Sequence, residues 1–210
     1  MALMPCADQK PKEDREIPKE DMYSARCYSI IDLGTHDRVV DKKTGETKPR
    51  REIYIAWELN AFMELPGENQ GKPFVTGKKY TYSLFDQARL YKDLSAWKPE
   101  GFDPKNVKTF DLAVLFNQYA TISIAHEPDP SNANIIYANM TAITPYNPKA
   151  GDKLDPINEN IYFETTEKDI GKLIKDWQRL YKWQQKIVKE SAEWDVLQMV
   201  LNGKDIKPNF

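Results

Sequence analysis

Between Met22 and about Pro145 the apolar positions recur mainly at every second residue, the period of a strand with one buried face. The clearest case is TKPRREIYIAWEL, residues 47–59: after Lys48, Arg50 and Arg51, one parity carries Ile53, Ile55, Trp57 and Leu59, and the other Tyr54, Ala56 and Glu58. ARCYSIIDLG (25–34) reads as an earlier strand ended by Gly34, and DKKTGETKP (41–49), with Thr-Gly at its centre, as the hairpin turn between the two. LPGENQGKP (65–73) is a loop by its Pro and Gly content. FVTGKKYTYSLF (74–85) follows as a third strand, with Gly77 at a bulge.

The period then changes. In FDQARLYKDLSAWKP (85–99) the positions Ala88, Leu90/Tyr91, Leu94 and Trp97 lie at helical spacing, and Pro99 follows the end. YATISIAHE (119–127) and NIIYANMTAI (134–143) are two more strands, joined by the polar turn PDPSNA. Five strands with a helix between the third and fourth is the element order of an OB-fold, a small Greek-key barrel, although other small barrels share that order. The reading is therefore mainly β, with an OB domain over residues 23–146 after a disordered tail (1–22) rich in Pro and charge. A polar linker (147–165), a helical segment (166–203) and a short flexible tail (204–210) follow. The helical segment has Thr166 as N-cap, an apolar stripe of Ile170, Leu173, Ile174, Trp177, Leu180/Tyr181 and Val188, and a second helix from Ser191 to Gly203.

Composition narrows this picture. The chain has 210 residues, 40% apolar and 30% charged, which suits a soluble globular protein. No apolar run reaches the roughly 18 residues of a membrane span, and the first residues lack the cationic-then-apolar order of a secretion signal. Two cysteines, Cys6 and Cys27, fit a reducing cytoplasm and no disulfide framework. The net charge of −2 hides segregation: residues 26–51 carry seven Lys/Arg against four Asp/Glu, and residues 72–98 six against two. Residues 1–22 carry four against six, and residues 152–210 ten against eleven. Basic hairpins inside acidic flanks matter more than the total, because local potential decides where an anion docks.

Catalysis finds little support. The two histidines, His36 and His126, have no metal-ligand spacing, and no phosphate-cradling glycine loop or nucleophile elbow is present. The expectation is a non-enzyme without cofactor or metal, the remaining catalytic alternative being a metal-dependent nuclease built from the scattered carboxylates. Single strands of nucleic acid are instead held by cations that track phosphates and aromatics on which bases stack. Lys43, Lys48, Arg50 and Arg51 lead into Tyr54 and Trp57, while Lys78 and Lys79 lead into Tyr80 and Tyr82. Tyr137 lies on the last strand, and His126 ends the fourth, where it is a rim residue able to reach a phosphate. The structural alternatives stand beside these: Trp57 shares parity with core residues, one of Tyr80 and Tyr82 belongs to the core, and a charge run is most often a solvated face. Trp177, Trp183 and Trp194 read as packing, onto the barrel or within a dimer.

The motifs YSIIDLGTH, RREIYIAWEL, GKPFVTGKKYTYSL, KDLSAW, ISIAHE and YANMTAITP, in this order and spacing, resemble small single-stranded-DNA-binding proteins of phages and prophages. The resemblance covers about residues 24–146 and continues weakly through DWQRLYKWQQKIVKES. It implies an OB-fold that coats single-stranded DNA during replication, recombination or repair in the cytoplasm of a bacterial host, with little sequence preference. It also implies that Arg50, Arg51, Tyr54, Trp57, Lys78, Lys79 and Tyr80 touch DNA. The chain departs from the pattern in two places: FNQ (116–118) stands where a Gly-Lys turn is expected, and the end GKDIKPNF lacks a strongly acidic tail. The partners that the resemblance implies are single-stranded DNA and, through the C-terminal region, replication or recombination proteins, with a homo-oligomer left open. The alternative from another class is an OB-like protein-interaction module that uses its Trp-rich helices.

Overall fold

Strand alternation along residues 47–59 is realised on a long, bent sheet with a different cover on each face. The computed structural model describes residues 16–40, 43–105 and 110–203. Five strands pair antiparallel in the order β3-β2-β1-β4-β5: β1 (Asp21–Val39), β2 (Thr47–Phe62), β3 (Pro73–Thr81), β4 (Tyr119–Asp129) and β5 (Asn132–Pro145). Helix α1 (Arg89–Trp97) connects β3 to β4. A sixth short strand, β6 (Ile161–Phe163), adds to β1 in parallel at Ser29–Ile31, along the edge that β4 occupies at Asp21–Arg26. The sheet is open: no ladder joins β3 to β5 among the described residues.

The odd parity of β2 faces the principal core. Ile53, Ile55, Trp57 and Leu59 pack there with Ile30 from β1, Ile122 and Ile124 from β4, and Leu90, Leu94 and Trp97 from α1. Trp97 reaches Trp57 edge-on at 5.7 Å and donates from Nε1 to the Tyr119 carbonyl. The opposite face is covered as well. Helices α2 (Ile170–Arg179), α3 (Lys182–Lys189) and α4 (Trp194–Leu201) bring Leu173, Leu180, Val188 and Leu197 onto Ile31, Leu33 and Phe163. A strand buried on both faces shows burial at nearly every position, as β1 does from Ser24 to Gly34.

Several expectations change. The first strand runs past Gly34 to Val39, and Gly34 marks a register shift with φ +84° instead of an end. Gly77 is no bulge, because β3 pairs regularly there with Ala56. Its missing side chain makes room for the Tyr54 ring, since a Cβ would lie 2.2 Å from the Tyr54 hydroxyl. The 147–165 linker contains β6, which extends the β1 edge where β4 leaves it. The long helix after Thr166 is two: Asp169 is the N-cap, accepting from the Lys172 N–H, and Leu180 and Tyr181 are extended, with the Gln184 side chain accepting from the Tyr181 N–H. Ile170 and Tyr181, placed on the apolar stripe by spacing, are exposed, while Leu173, Trp177, Leu180 and Val188 pack inward.

The two tails fall largely outside the described residues, at 1–15 and 204–210. From Glu16 onward the chain is held: the Glu16 carboxylate accepts from the Glu64 and Leu65 N–H groups, and the Pro18 carbonyl and Glu20 carboxylate engage His126. Asn117, in the FNQ turn, takes a left-handed backbone (φ +62°) that Asn tolerates better than most residues. Its N–H donates to the Cys27 carbonyl, and its side chain accepts from Arg26.

Candidate nucleic-acid interface

The twelve residues expected to touch nucleic acid are divided by strand parity among a rim, a core and two distant sites. Residues paired across an antiparallel ladder share a face. Lys48 pairs with Arg38, Arg50 with His36, and Tyr54 with Lys79, so these side chains belong to the face that α3 partly covers. Glu52 lies among them, buried, and its carboxylate accepts from Arg38 at 2.7 Å while Lys79 pairs with it at 3.2 Å. The Arg38 hydrogen bonds in particular hold Glu52 below the usual carboxylate range. Arg38 also feels Glu190 at the end of α3. Lys48 pairs with Glu46 at 3.2 Å, and Arg50 forms no ion pair with any described residue. Lys43 is exposed in the turn of this hairpin.

Arg51 emerges on the other face at the same end of the sheet. Its guanidinium clasps Asp32 with two hydrogen bonds, and Asp32 also accepts from the Thr165 N–H and hydroxyl. Burial pushes the Asp32 carboxyl up, but the bonds from Arg51 and Thr165 outweigh it and leave the group below its usual range. The Tyr82 N–H donates to the Arg51 carbonyl, and the Tyr82 ring is exposed. Arg51 and Tyr82 line a cleft of about 260 Å³ with Phe110 and Tyr162.

Burial removes the other aromatics from a stacking surface. Trp57 is 1% exposed and Tyr80 3% exposed, both in the principal core, because their parity matches Ile53 and Ile55. The Tyr80 hydroxyl donates to Asp93, which also pairs with Lys78 and Arg89, so Lys78 braces α1 against β3. Tyr54 is sandwiched between Gly77 and α3, where Trp183 meets it edge-on at 4.9 Å, and burial pushes its phenol up to about 12. His126 holds the N-terminal segment, and the Tyr137 hydroxyl donates to Asp129 within the β4–β5 hairpin. Both lie away from the rim.

The exposed rings on the α3 side are Tyr181 and Trp183, 55% and 43% exposed, flanked by the exposed Lys182 and Lys186. Sequence spacing assigned Trp183 to packing together with Trp177 and Trp194. Those two do pack, at 5.6 Å from one another. The available signal was the alternation of aromatic and cation in YKW, the same interleaving that singled out β2 and β3.

The convergent set is thus Lys48, Arg50, Arg51, Lys79 and Tyr82 from the expected residues, joined by Arg38 and by Trp183 over Tyr54, whereas Tyr181 lies against Tyr28 and Tyr54 at the far end of α3. These five cations share the end of the sheet with Glu46, Glu52 and Asp32 and, farther off, Glu164, Glu190 and Glu193. Arg50 is the one of the five without an ion pair among the described residues, beside exposed rings able to stack bases. Among the described residues no group of three or more His, Cys, Asp or Glu side chains is placed to hold a metal ion, and no helix is long and apolar enough to cross a membrane. The chain matches no protein-family model, and a comparison with curated proteins finds no match.

Proposed function

We propose that this protein binds single-stranded DNA through the rim where the β1–β2 hairpin enters the sheet, coating the strand without catalysis and with little sequence preference. The observation that carries the reading is the convergence of Arg38, Lys48, Arg50, Arg51 and Lys79 from three adjacent strands, beside the exposed rings of Tyr82 and Trp183. We read the open sheet as an OB-fold. Its neighbour order with α1 between β3 and β4 is that of a five-stranded Greek-key barrel, a partly open class, and β3 and β5 approach one another across the unladdered seam. The resemblance to phage and prophage single-stranded-DNA-binding proteins selects DNA over RNA and suggests a role in replication, recombination or repair in a bacterial cytoplasm. Replication or recombination proteins and a second copy of the chain are the partners this role suggests for the C-terminal helices.

Fluorescence anisotropy with oligo-dT, duplex DNA and oligo-U at two salt concentrations tests the function. Tight binding to oligo-dT that weakens steeply with salt is expected, because phosphate contacts release counterions. Comparable affinity for duplex, or no binding to oligo-dT at low salt, overturns it. Arg50→Ala with Lys79→Ala tests the site. Two lost contacts should flatten the salt slope by about 1.4, at about 0.7 per single-strand phosphate, and weaken all sequences alike. Unchanged binding would make these charges solubility devices and move the site elsewhere.

A further inference from the structure

The near-neutral charge of the C-terminal region conceals a strongly basic stretch. Residues 168–189 hold seven Lys/Arg against two Asp/Glu, while the acids of the region gather on either side. Lys168, Lys172, Lys175 and Arg179 follow one another at steps of four, three and four, which puts the last three on one face of α2 and Lys168 just ahead of it.

That face is exposed at Lys172 and Lys175. It forms one wall of a cleft of about 430 Å³ against β6 and the chain before it, lined by Asn160, Tyr162, Lys172, Lys175, Asp176 and Arg179. The Lys172 ammonium lies 5.7 Å from the centre of the Tyr162 ring. Lys172 is paired with Glu167, and Arg179 lies 3.2 Å from Glu159 and 3.7 Å from Asp176. Lys175 is exposed and forms no ion pair with any described residue. A solvated charge run needs neither a concave surface nor an aromatic wall, and this stretch has both.

Continuity identifies the occupant. Tyr162 also lines the 260 Å³ cleft that holds Arg51 and Tyr82 of the hairpin rim. The two clefts share the Tyr162 ring as a wall, which marks a path from the rim to the α2 lysines past Asp32, Asp111 and Glu164 of the first cleft. We propose that a single DNA strand bound at the rim continues along this path, with Lys175, Lys172 and Arg179 as a second phosphate-contacting subsite and Tyr162 as the surface between the two. The inference rests on the single-stranded-DNA reading and adds to it a longer footprint.

The test uses the full chain with oligo-dT of about 6 and about 30 nucleotides, one within and one beyond the roughly 4–16 nucleotides that one OB fold spans. Lys175→Ala and Lys175→Glu are the variants, because Lys175 contributes no ion pair to the fold. The expected result is unchanged affinity for the short oligonucleotide. For the long one, the alanine variant should bind about three-fold more weakly, with a salt slope shallower by about 0.7, and the glutamate variant about ten-fold more weakly. Unchanged affinity and slope for the long oligonucleotide overturn the subsite while leaving the rim intact. Equal weakening of both lengths also overturns it, as that is the signature of general electrostatics. Failure of the unaltered protein to bind either length overturns the function reading itself.

Discussion

Replacing Gly34 by Ala tests how the C-terminal helices are fastened to the sheet. Gly34 has φ +84°, a backbone state that costs a residue bearing a Cβ about 1–2 kcal/mol. The added Cβ would lie 2.4 Å from the Ser191 Cβ and 2.5 Å from its Oγ, against roughly 3.5–4.0 Å for an ordinary carbon contact. Relief requires β1 to part from the segment between α3 and α4. That segment is clasped there by the Ala192 N–H on the Thr35 carbonyl and by the Thr35 N–H and hydroxyl on the Glu193 carboxylate. Overpacking of this kind costs about 1–3 kcal/mol, so the substitution should lower stability by about 2–5 kcal/mol in total. Ser191→Gly removes the two nearest clashing atoms and leaves the Glu193 Oε2 at 2.8 Å, and the Ser191 hydroxyl makes no hydrogen bond that would be lost. In that background Gly34→Ala should cost the backbone part, about 1–2 kcal/mol, plus the displacement of the Glu193 carboxylate, and so less than in the wild type. Urea unfolding of the wild type, both single variants and the double variant measures the cycle. A cost below about 1 kcal/mol, or one undiminished by Ser191→Gly, refutes the close approach and the clasp built on it.

Two further outcomes follow from buried charge. Arg26 and Glu58 are 1% and 0% exposed and meet at 2.5 Å. Arg26 also binds Asn117, Asn160 and the Asn158 carbonyl, and Glu58 accepts from the Ile157 and Asn158 N–H groups. Glu58→Ala leaves the guanidinium buried without its partner and should cost about 3–5 kcal/mol by urea unfolding; a loss under about 1 kcal/mol contradicts the network. Asp32 titrates below its usual value when folded, so the unfolded chain binds more protons under acid conditions. Its contribution is complete above an unfolded value of about 4 and is lost as pH falls through the lower folded value. Thermal melts carried from about pH 7 to below about pH 4, where the loss begins, should therefore show an acid decline that is shallower in Asp32→Asn; identical slopes would remove Asp32 as a contributor.

Much of the β domain was legible in the chain, because period-two alternation and helical spacing are local properties. Ile53, Ile55, Trp57 and Leu59 share a face in any extended strand, and the core side of β2 follows directly. The order of strands and the helix after β3 were readable for the same reason. The candidate site was only half legible. Charge runs located Lys48, Arg50, Arg51 and Lys79, yet no run discloses that Asp93 neutralises Lys78 or that Asp32 clasps Arg51.

Alternation says which residues share a face and is silent on what covers the other. It implies one buried face for β2, and Tyr54, on the other parity, is expected to touch nucleic acid. In the folded chain Trp183 and the α3 segment, some 130 residues on, lie over Tyr54, and Asn158 closes over Glu58. The pattern of β2 determined its register and its core, since each depends on neighbours within a few residues. Which rings and cations remain for a nucleic acid was decided only by packing between distant segments, because burial belongs to the assembled surfaces and to neither segment alone.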